Sequence, residues 1–350
     1  MTSSITPSQQ SSPATIVLIS GDGVGQEVIP AAAEVLAALG LGLKFVEAPA
    51  GFEHFMRTGN AIPAETLAAV QTAGVALFGA TASPSADVPG YQSPILALRR
   101  AFELFANLRP TFSLPGSYAR AGVDLLIVRE NTEGLYSGRE RREGDTAIAE
   151  RVITVRGSER IARVAFLQAQ ARQRPSSAGG PCVTIVHKAN VLKVTDGLFR
   201  DTCLQVAAEF PAVAVNEVLV DTMALRLMRD PQAFDVIVTT NLFGDILSDE
   251  ASGLMGGLGV APSANVGGQV AVFEPVHGSA PDIAGHGRAN PVGALLSAAM
   301  LLEHLGYHAA AARVRHAVMD TLRAGILTPD LGGTATTPAV TRSVIAGLGG

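Results

Sequence analysis

Cysteine is nearly absent. Cys182 and Cys203 are the only two in 350 residues, which rules out a disulfide framework and the paired spacing of a zinc site. Both read as buried free thiols in a reducing compartment. Tryptophan is missing altogether, and lysine is scarce: of 26 basic residues only Lys44, Lys188 and Lys193 are not arginine. A lysine in such a chain can mark a place where arginine would not serve. No apolar run reaches the roughly 20 residues of a membrane-spanning helix. The opening MTSSITPSQQSSPA has no basic residue, so it lacks the charged start of a secretory signal and the arginines of a transit peptide. It reads as a disordered tail over 1–14 on a cytoplasmic protein. With a net charge of −5, no basic surface for nucleic acid is indicated.

What is present is an ordinary globular mix, 47 % hydrophobic and 16 % charged, with enough apolar material for one large domain or two modest ones. Short β-branched runs alternate with Ala/Leu-rich stretches. Strands are expected over 15–19, 75–78, 124–128, 183–187, 215–220, 235–239 and 270–273. Helices are expected over 26–39, 64–72, 158–171, 197–209, 246–255, 291–305 and 309–324. Such alternation predicts an α/β fold. The charge-rich segment 138–155 reads either as a projecting arm that pairs with another subunit or as a solvated excursion.

Five motifs can carry chemistry. Gly21-Asp22-Gly23-Val24-Gly25-Gln26 follows a strand but fails the dinucleotide fingerprint at Gln26, where a small residue is required. Arg99, Arg109 and Arg129 form a set suited to bidentate binding of carboxylates, with Arg129 at a strand's C-terminal end; singly, each reads as a surface arginine. Asp245 and Asp249, four apart, share one helix face and repel unless compensated. A hard cation is the sharper explanation, and Asp221, expected at the end of a strand, is a third possible ligand. Lys188, in His187-Lys188-Ala189-Asn190 at a strand tip, suits a base. The loop Glu274–Asp282, followed by Ile283 and Asn290, offers backbone donors, His277 and an acid; beside an adenosine ribose, Asp282 would accept from the 2′-hydroxyl and repel a 2′-phosphate.

Together GDGVGQEVIP, LRRAFELFANLRP, VRENTEGLY, HKANVLK, TTNLFGDILSD and FEPVHGSAPDIAG with RANP resemble the β-decarboxylating dehydrogenases that act on isopropylmalate, isocitrate, homoisocitrate and tartrate. The resemblance covers about 16–348. It implies an isopropylmalate-dehydrogenase-like two-domain fold rather than a Rossmann fold. The large domain would span 15–103 plus 256–350, and a smaller domain over 104–255 would carry a protruding dimerisation arm near 136–156. It implies that Arg99, Arg109 and Arg129 hold the substrate, and that Asp221, Asp245 and Asp249 hold Mg2+ or Mn2+. Lys188 would take the hydroxyl proton, Tyr136 would protonate the enol, and both would touch substrate. Asn190 would lie near substrate and nicotinamide. Glu274, His277, Gly278, Ser279, Ala280, Asp282, Ile283 and Asn290 would hold the adenosine. In this family the equivalents of Lys188 and Asp221 reach the site from the partner subunit, which implies a homodimer or homotetramer. Asp282-Ile283 stands where NADP-using relatives resemble a Lys-Tyr pair, so NAD is expected.

The run YQSPILALRR resembles the homoisocitrate branch, with Ser93 placed to bond a distal carboxylate and Ile95 and Leu96 lining extra methylenes. That implies oxidation of a small tricarboxylate, homoisocitrate, to 2-oxoadipate and CO2 in lysine synthesis. Isopropylmalate and isocitrate stay open, because one or two methylenes change discrimination by only about 1–3 kcal/mol. A non-catalytic regulatory subunit is the reading from another class, and the intact arginines, aspartates, Tyr136 and Lys188 argue against it.

Overall fold

A computed structural model describes residues 14–84, 86, 88–174 and 179–349. The expected tail lies outside them except for Ala14, which is buried and whose carbonyl accepts the Lys44 N–H at 3.0 Å. The chain divides into two compact units. One holds the residues up to Phe102 with Leu258–Ala264 and Gln269–Gly350; the other holds Glu103–Gly257 and Asn265–Gly268.

The first unit opens with β1 (Thr15–Gly21), α1 (Gly25–Ala38), β2 (Lys44–Glu47), α2 (Phe52–Thr58), α3 (Ala64–Ala73), β3 (Val75–Ala80) and α4 (Pro94–Ala101). β1 pairs in parallel with β2 and β3. β3 is buried at every position, as expected of a parallel strand covered on both faces. In α1, Val28, Ile29, Ala32, Val35 and Leu36 form the buried stripe at the i, i+4, i+7 spacing of one helix face.

The second unit contains β4 (Ala106–Phe112), β5 (Asp124–Glu130), β6 (Glu140–Glu143), β7 (Thr146–Ala149), α5 (Val155–Arg172), β8 (Cys182–His187), α6 (Thr195–Ala207), β9 (Ala214–Leu219), α7 (Val220–Arg229), β10 (Val236–Thr239) and α8 (Asn241–Ser252). Its strand order is β4-β5-β10-β8-β9. Apart from antiparallel β4, these strands run parallel. The C-terminal ends of β5, β10, β8 and β9 therefore share one edge, the edge where open α/β sheets place ligands. Alternation along β5 feeds two cores. Leu126 and Val128 pack with Phe166 and Phe199 of α5 and α6. Leu125 and Ile127 pack with Met223, Leu227 and Leu247 of α7 and α8. The segment 138–155 contains an antiparallel hairpin, β6 with β7, turning at Gly144 (φ 62°); every β6 residue is exposed.

β11 (Pro262–Val266) contributes Pro262–Ala264 to the first unit and Asn265 and Val266 to the second. The first unit is completed by β12 (Ala271–Pro275), parallel to β3, and by α9 (Val292–His304), α10 (His308–Arg323) and α11 (Thr337–Gly347). α9 is buried almost all round, the mark of a core helix.

Two expectations near the motifs are corrected. Asp221 does not end a strand. β9 stops at Leu219, and Asp221 sits in the first turn of α7, because Leu219 is extended (ψ 142°) and the helix begins at the next residue. The helix expected from 246 starts at Asn241, so Asp245 and Asp249 lie on its second and third turns.

Candidate active site

At the C-terminal edge of β5 and β10 the two aspartates of α8 meet two arginines. Arg129, the largest fully buried side chain at 1 % exposure, donates from Nε (3.1 Å) and Nη2 (2.7 Å) to Asn241 Oδ1. Its Nη1 bonds Asp245 Oδ1. Its Cζ lies 5.1 Å from the centre of the Tyr136 ring. The aliphatic stem of Arg129 fits because residue 244 is glycine: a Cβ there would stand 2.6 Å from Arg129 Cγ. Arg109 donates from Nε to Asn107 Oδ1 (2.7 Å) and from Nη1 to Ser248 Oγ (2.7 Å) and Asp249 Oδ1 (3.0 Å). Its Nη2 is 3.4 Å from Asp245 Oδ1. The repulsion expected between Asp245 and Asp249 is thus offset here by arginines.

Those contacts also test the fit of a metal. Two carboxylates one helical turn apart converge on a single guanidinium, so they can converge on a hard cation, and oxygen donors are what Mg2+ and Mn2+ take. The Asp249 carboxyl is pushed above its usual range by burial and by Asp245, against Arg109, as expected of acids short of positive charge. Among the described residues no three acidic, histidine or cysteine side chains of one chain cluster as metal ligands. Asp221 is elsewhere: its carboxylate accepts from Lys188 Nζ, which holds its carboxyl below the usual range. Tyr136 donates its hydroxyl to Asp245 Oδ2 (2.5 Å). Burial first, and the Asp245 carboxylate next, raise its pKa, so the phenol keeps its proton and suits an acid.

Lys188 follows β8 directly. Its carbonyl accepts from the Val191 and Leu192 N–H groups, and its own N–H is held by Asp196 Oδ2 at 2.6 Å. Asn190 is exposed on the same turn.

The remaining expected residues lie in the first unit. Arg99, buried in α4, is 3.3 Å from Glu274 Oε1 of β12. Ser93 is the N-cap of α4, yet its side chain makes no cap hydrogen bond. Ile95, Leu96 and Arg99 share one helix face by their i, i+3, i+4 spacing. A cavity of about 460 Å³ is lined by Val24, Gly259, His277, Ala280, Ile283, Arg288, Ala289, Asn290, Pro329 and Asp330. His277, Ala280, Ile283 and Asn290 are therefore brought together. Glu274, Gly278, Ser279 and Asp282 do not line that cavity. Burial lowers the His277 pKa, and its Nε2 is buried without a hydrogen-bond partner, as expected of a neutral imidazole left for a ligand. The glycine-rich turn supports the same loop. Val24 N–H donates to Ser279 O at 2.9 Å, and a Cβ on Gly23 would stand 2.1 Å from that oxygen.

Asn241, Ser248, Arg288 and Asp330 escaped the sequence reading. The first two lie inside TTNLFGDILSD, where a helix starting at 241 would have placed Asn241 and Ser248 one turn from Asp245. Asp330, which accepts from Asn290 Nδ2 at 3.0 Å, lies in the short 3-10 turn Pro329–Leu331, too brief to carry a pattern of its own.

The chain matches the family described as isocitrate/isopropylmalate dehydrogenase over residues 15–345. The isocitrate/homoisocitrate dehydrogenase of Thermus thermophilus is 56 % identical over 333 residues, covering 95 % of this chain and 98 % of that one. This chain belongs to the isocitrate/isopropylmalate dehydrogenase family. A 3-isopropylmalate dehydrogenase of Methanothermobacter thermautotrophicus is 51 % identical over 91 % of this chain and 93 % of its own. The crystal structure of isocitrate dehydrogenase from Methylococcus capsulatus superposes with a TM-score of 0.91 at 40 % identity, covering 96 % of this chain and 99 % of that one. The fold is thus that of the isopropylmalate-dehydrogenase-like α/β enzymes, and the family is one of oxidatively decarboxylating dehydrogenases that use NAD(P) and a divalent metal. Among the described residues no helix is long and apolar enough to cross a membrane.

Proposed function

We propose that this enzyme oxidises homoisocitrate with NAD and decarboxylates it to 2-oxoadipate. The observation that carries the substrate is the face of α4. Ser93 has a hydroxyl unused in capping, Ile95 and Leu96 are half-buried apolar residues, and Arg99 is buried on the same face. A hydroxyl for a distal carboxylate, methylene-lining side chains and a guanidinium suit a chain-extended tricarboxylate. The test is kcat/KM with NAD and Mg2+ for homoisocitrate, isocitrate and 3-isopropylmalate side by side. Homoisocitrate is expected to lead by tenfold or more, about 1.4 kcal/mol of transition-state preference. A lead for isopropylmalate would move the pathway to leucine synthesis and overturn the reading of this helix face.

Arg99, Arg109 and Arg129 would hold the carboxylates of the malate part as bidentate forks. Bound NAD supplies a hydride acceptor, and Mg2+ or Mn2+ on Asp245, Asp249 and a partner copy's Asp221 supplies Lewis acidity towards the hydroxyl and the enol oxygen. Lys188, as the free amine, removes the hydroxyl proton. Tyr136, held protonated against Asp245, returns a proton to the carbon that loses CO2. Asn190, exposed on the Lys188 turn, would lie near the nicotinamide of bound NAD.

Lys188 and Asp221 pair with each other in one chain rather than with Asp245 and Asp249, which supports sites shared in a homodimer or homotetramer. α7 and α8 carry the surface for it: Leu225, Met228 and Ile246 are more than half exposed, a patch that suits burial by a second copy. A cytoplasmic enzyme of lysine synthesis fits this chemistry.

For the dinucleotide, Ile283 lines the 460 Å³ cavity beside exposed Asp282. A carboxylate there accepts from a ribose hydroxyl and repels a 2′-phosphate. NAD is expected to exceed NADP in kcat/KM by at least tenfold; equal or better use of NADP would overturn the choice.

A further inference from the structure

One ion pair, between buried Asp196 and half-buried Arg151, has no part in the roles above. Asp196, in the first turn of α6, is fully buried. Its Oδ2 accepts the Lys188 N–H, and its Oδ1 lies 2.8 Å from Arg151 Nη2. The same Nη2 donates to Thr240 Oγ1 at 2.8 Å, and the guanidinium lies 4.5 Å from the centre of the Phe243 ring. Thr240 and Phe243 bracket the start of α8, where Asn241 grips Arg129 and Asp245 follows. On the other side, Arg151 precedes Val152, whose carbonyl accepts the Gly134 N–H at 2.8 Å, two residues before Tyr136. One guanidinium therefore links the start of α8, which carries Asp245, to the Lys188 turn through Asp196, and sits next to the backbone bridge before Tyr136.

Desolvating both charges offsets much of their attraction, so such a pair is a poor source of stability and a good fixer of geometry. We propose that Arg151–Asp196 is a positioning strut that sets the Lys188 turn and the start of α8 together. It rests on the reading that Lys188 serves a partner copy's site while Arg129 and Asp245 serve their own. One chain's contributions to two active sites are then set by a single pair.

The experiment uses full-length hybrid dimers carrying two different tags. Lys188→Met and Asp245→Asn homodimers are each inactive. Their hybrid regains one working site, built from Asp245 of the first chain and Lys188 of the second. Asp196→Asn is then added to one chain or the other. The strut predicts a fall in kcat of about tenfold, or 1.4 kcal/mol, from either chain. A fall only from the Lys188-donating chain makes Asp196 a local clamp and overturns the strut, as does no fall from either. If the hybrid without Asp196→Asn recovers no activity, the shared-site reading itself fails, and the two-site strut with it. If Asp196→Asn does not fold, Arg151→Met with Asp196→Asn removes both charges of the pair; that hybrid is expected to fold and remain slow, and full activity would refute the proposal.

Discussion

Lys188→Met is expected to lower kcat by about 10³-fold or more while leaving NAD binding within a few-fold of the parent. General-base catalysis by a positioned side chain contributes about 10²–10⁴-fold, and methionine keeps the unbranched stem of lysine, one atom shorter, without a proton acceptor. Among the described residues the Lys188 side chain pairs with the exposed Asp221 carboxylate, so its loss costs little stability. Its backbone N–H, which Asp196 holds, survives the change. The cavity around His277, Ile283 and Asn290 belongs to the other unit, so dinucleotide affinity, measured by NADH fluorescence or calorimetry, is the control. Near-normal turnover would remove Lys188 from the mechanism, and parallel loss of NAD binding would point to misfolding instead.

The sequence made much of this site legible because parallel strands advertise themselves. Runs such as Val75–Ala80 are apolar at every position, so the residues just past each run could be placed at one edge without knowing the strand order. Lys188 and Arg129 were located that way. Elements built on other terms were harder to read. β4 contains Pro110, which removes a ladder donor and speaks against a strand, yet it pairs with β5 from Ala106 to Phe112. α4 is short, opens on Ser-Pro and buries only Pro94, Leu98 and Arg99, too few for a periodic core stripe to announce it.

α7 and α8 show where local signals lose to the site. Gly244 weakens the helix signal in TNLFGD, and glycine is there because Arg129 occupies the space of its side chain. The residue that hid the start of the helix is one the site requires. In α7, Met223 and Leu227 give a buried stripe, but Leu225 and Met228 are exposed and blur its period. The blur is physical if a second copy covers those residues, since periodicity reports burial only by the chain that is read. On the proposed shared-site reading, the same limit keeps any single-chain pattern from joining Asp221 to Asp245 and Asp249.

The two aspartates of α8 should answer differently to loss of their charge. Asp245 bonds Arg129, Tyr136 and Arg109 at once. Asp245→Asn leaves the buried Arg129 guanidinium short of its counter-charge and frees the tyrosine hydroxyl, in addition to weakening the metal. Hydrogen bonds to charged groups are worth about 1.5–3 kcal/mol each, so a lower Tm is expected together with a loss of about 10³-fold in kcat/KM. Added metal should recover little of it, because the arginine and tyrosine stay misplaced. Asp249 is ion-paired with Arg109, and half its side chain is exposed. Asp249→Asn should leave Tm nearly unchanged, as surface pairs are worth about 0–1 kcal/mol. It should raise the Mg2+ or Mn2+ concentration needed for half-maximal rate by tenfold or more, with kcat largely restored at saturation. A metal titration of both variants separates the roles. If Asp249→Asn saturates at the parent's metal concentration, Asp249 is not a ligand and serves only to neutralise Arg109. If raised metal rescues Asp245→Asn as fully as Asp249→Asn, the contacts of Asp245 with Arg129 and Tyr136 do not matter to catalysis, and Tyr136 loses its place as the proton donor.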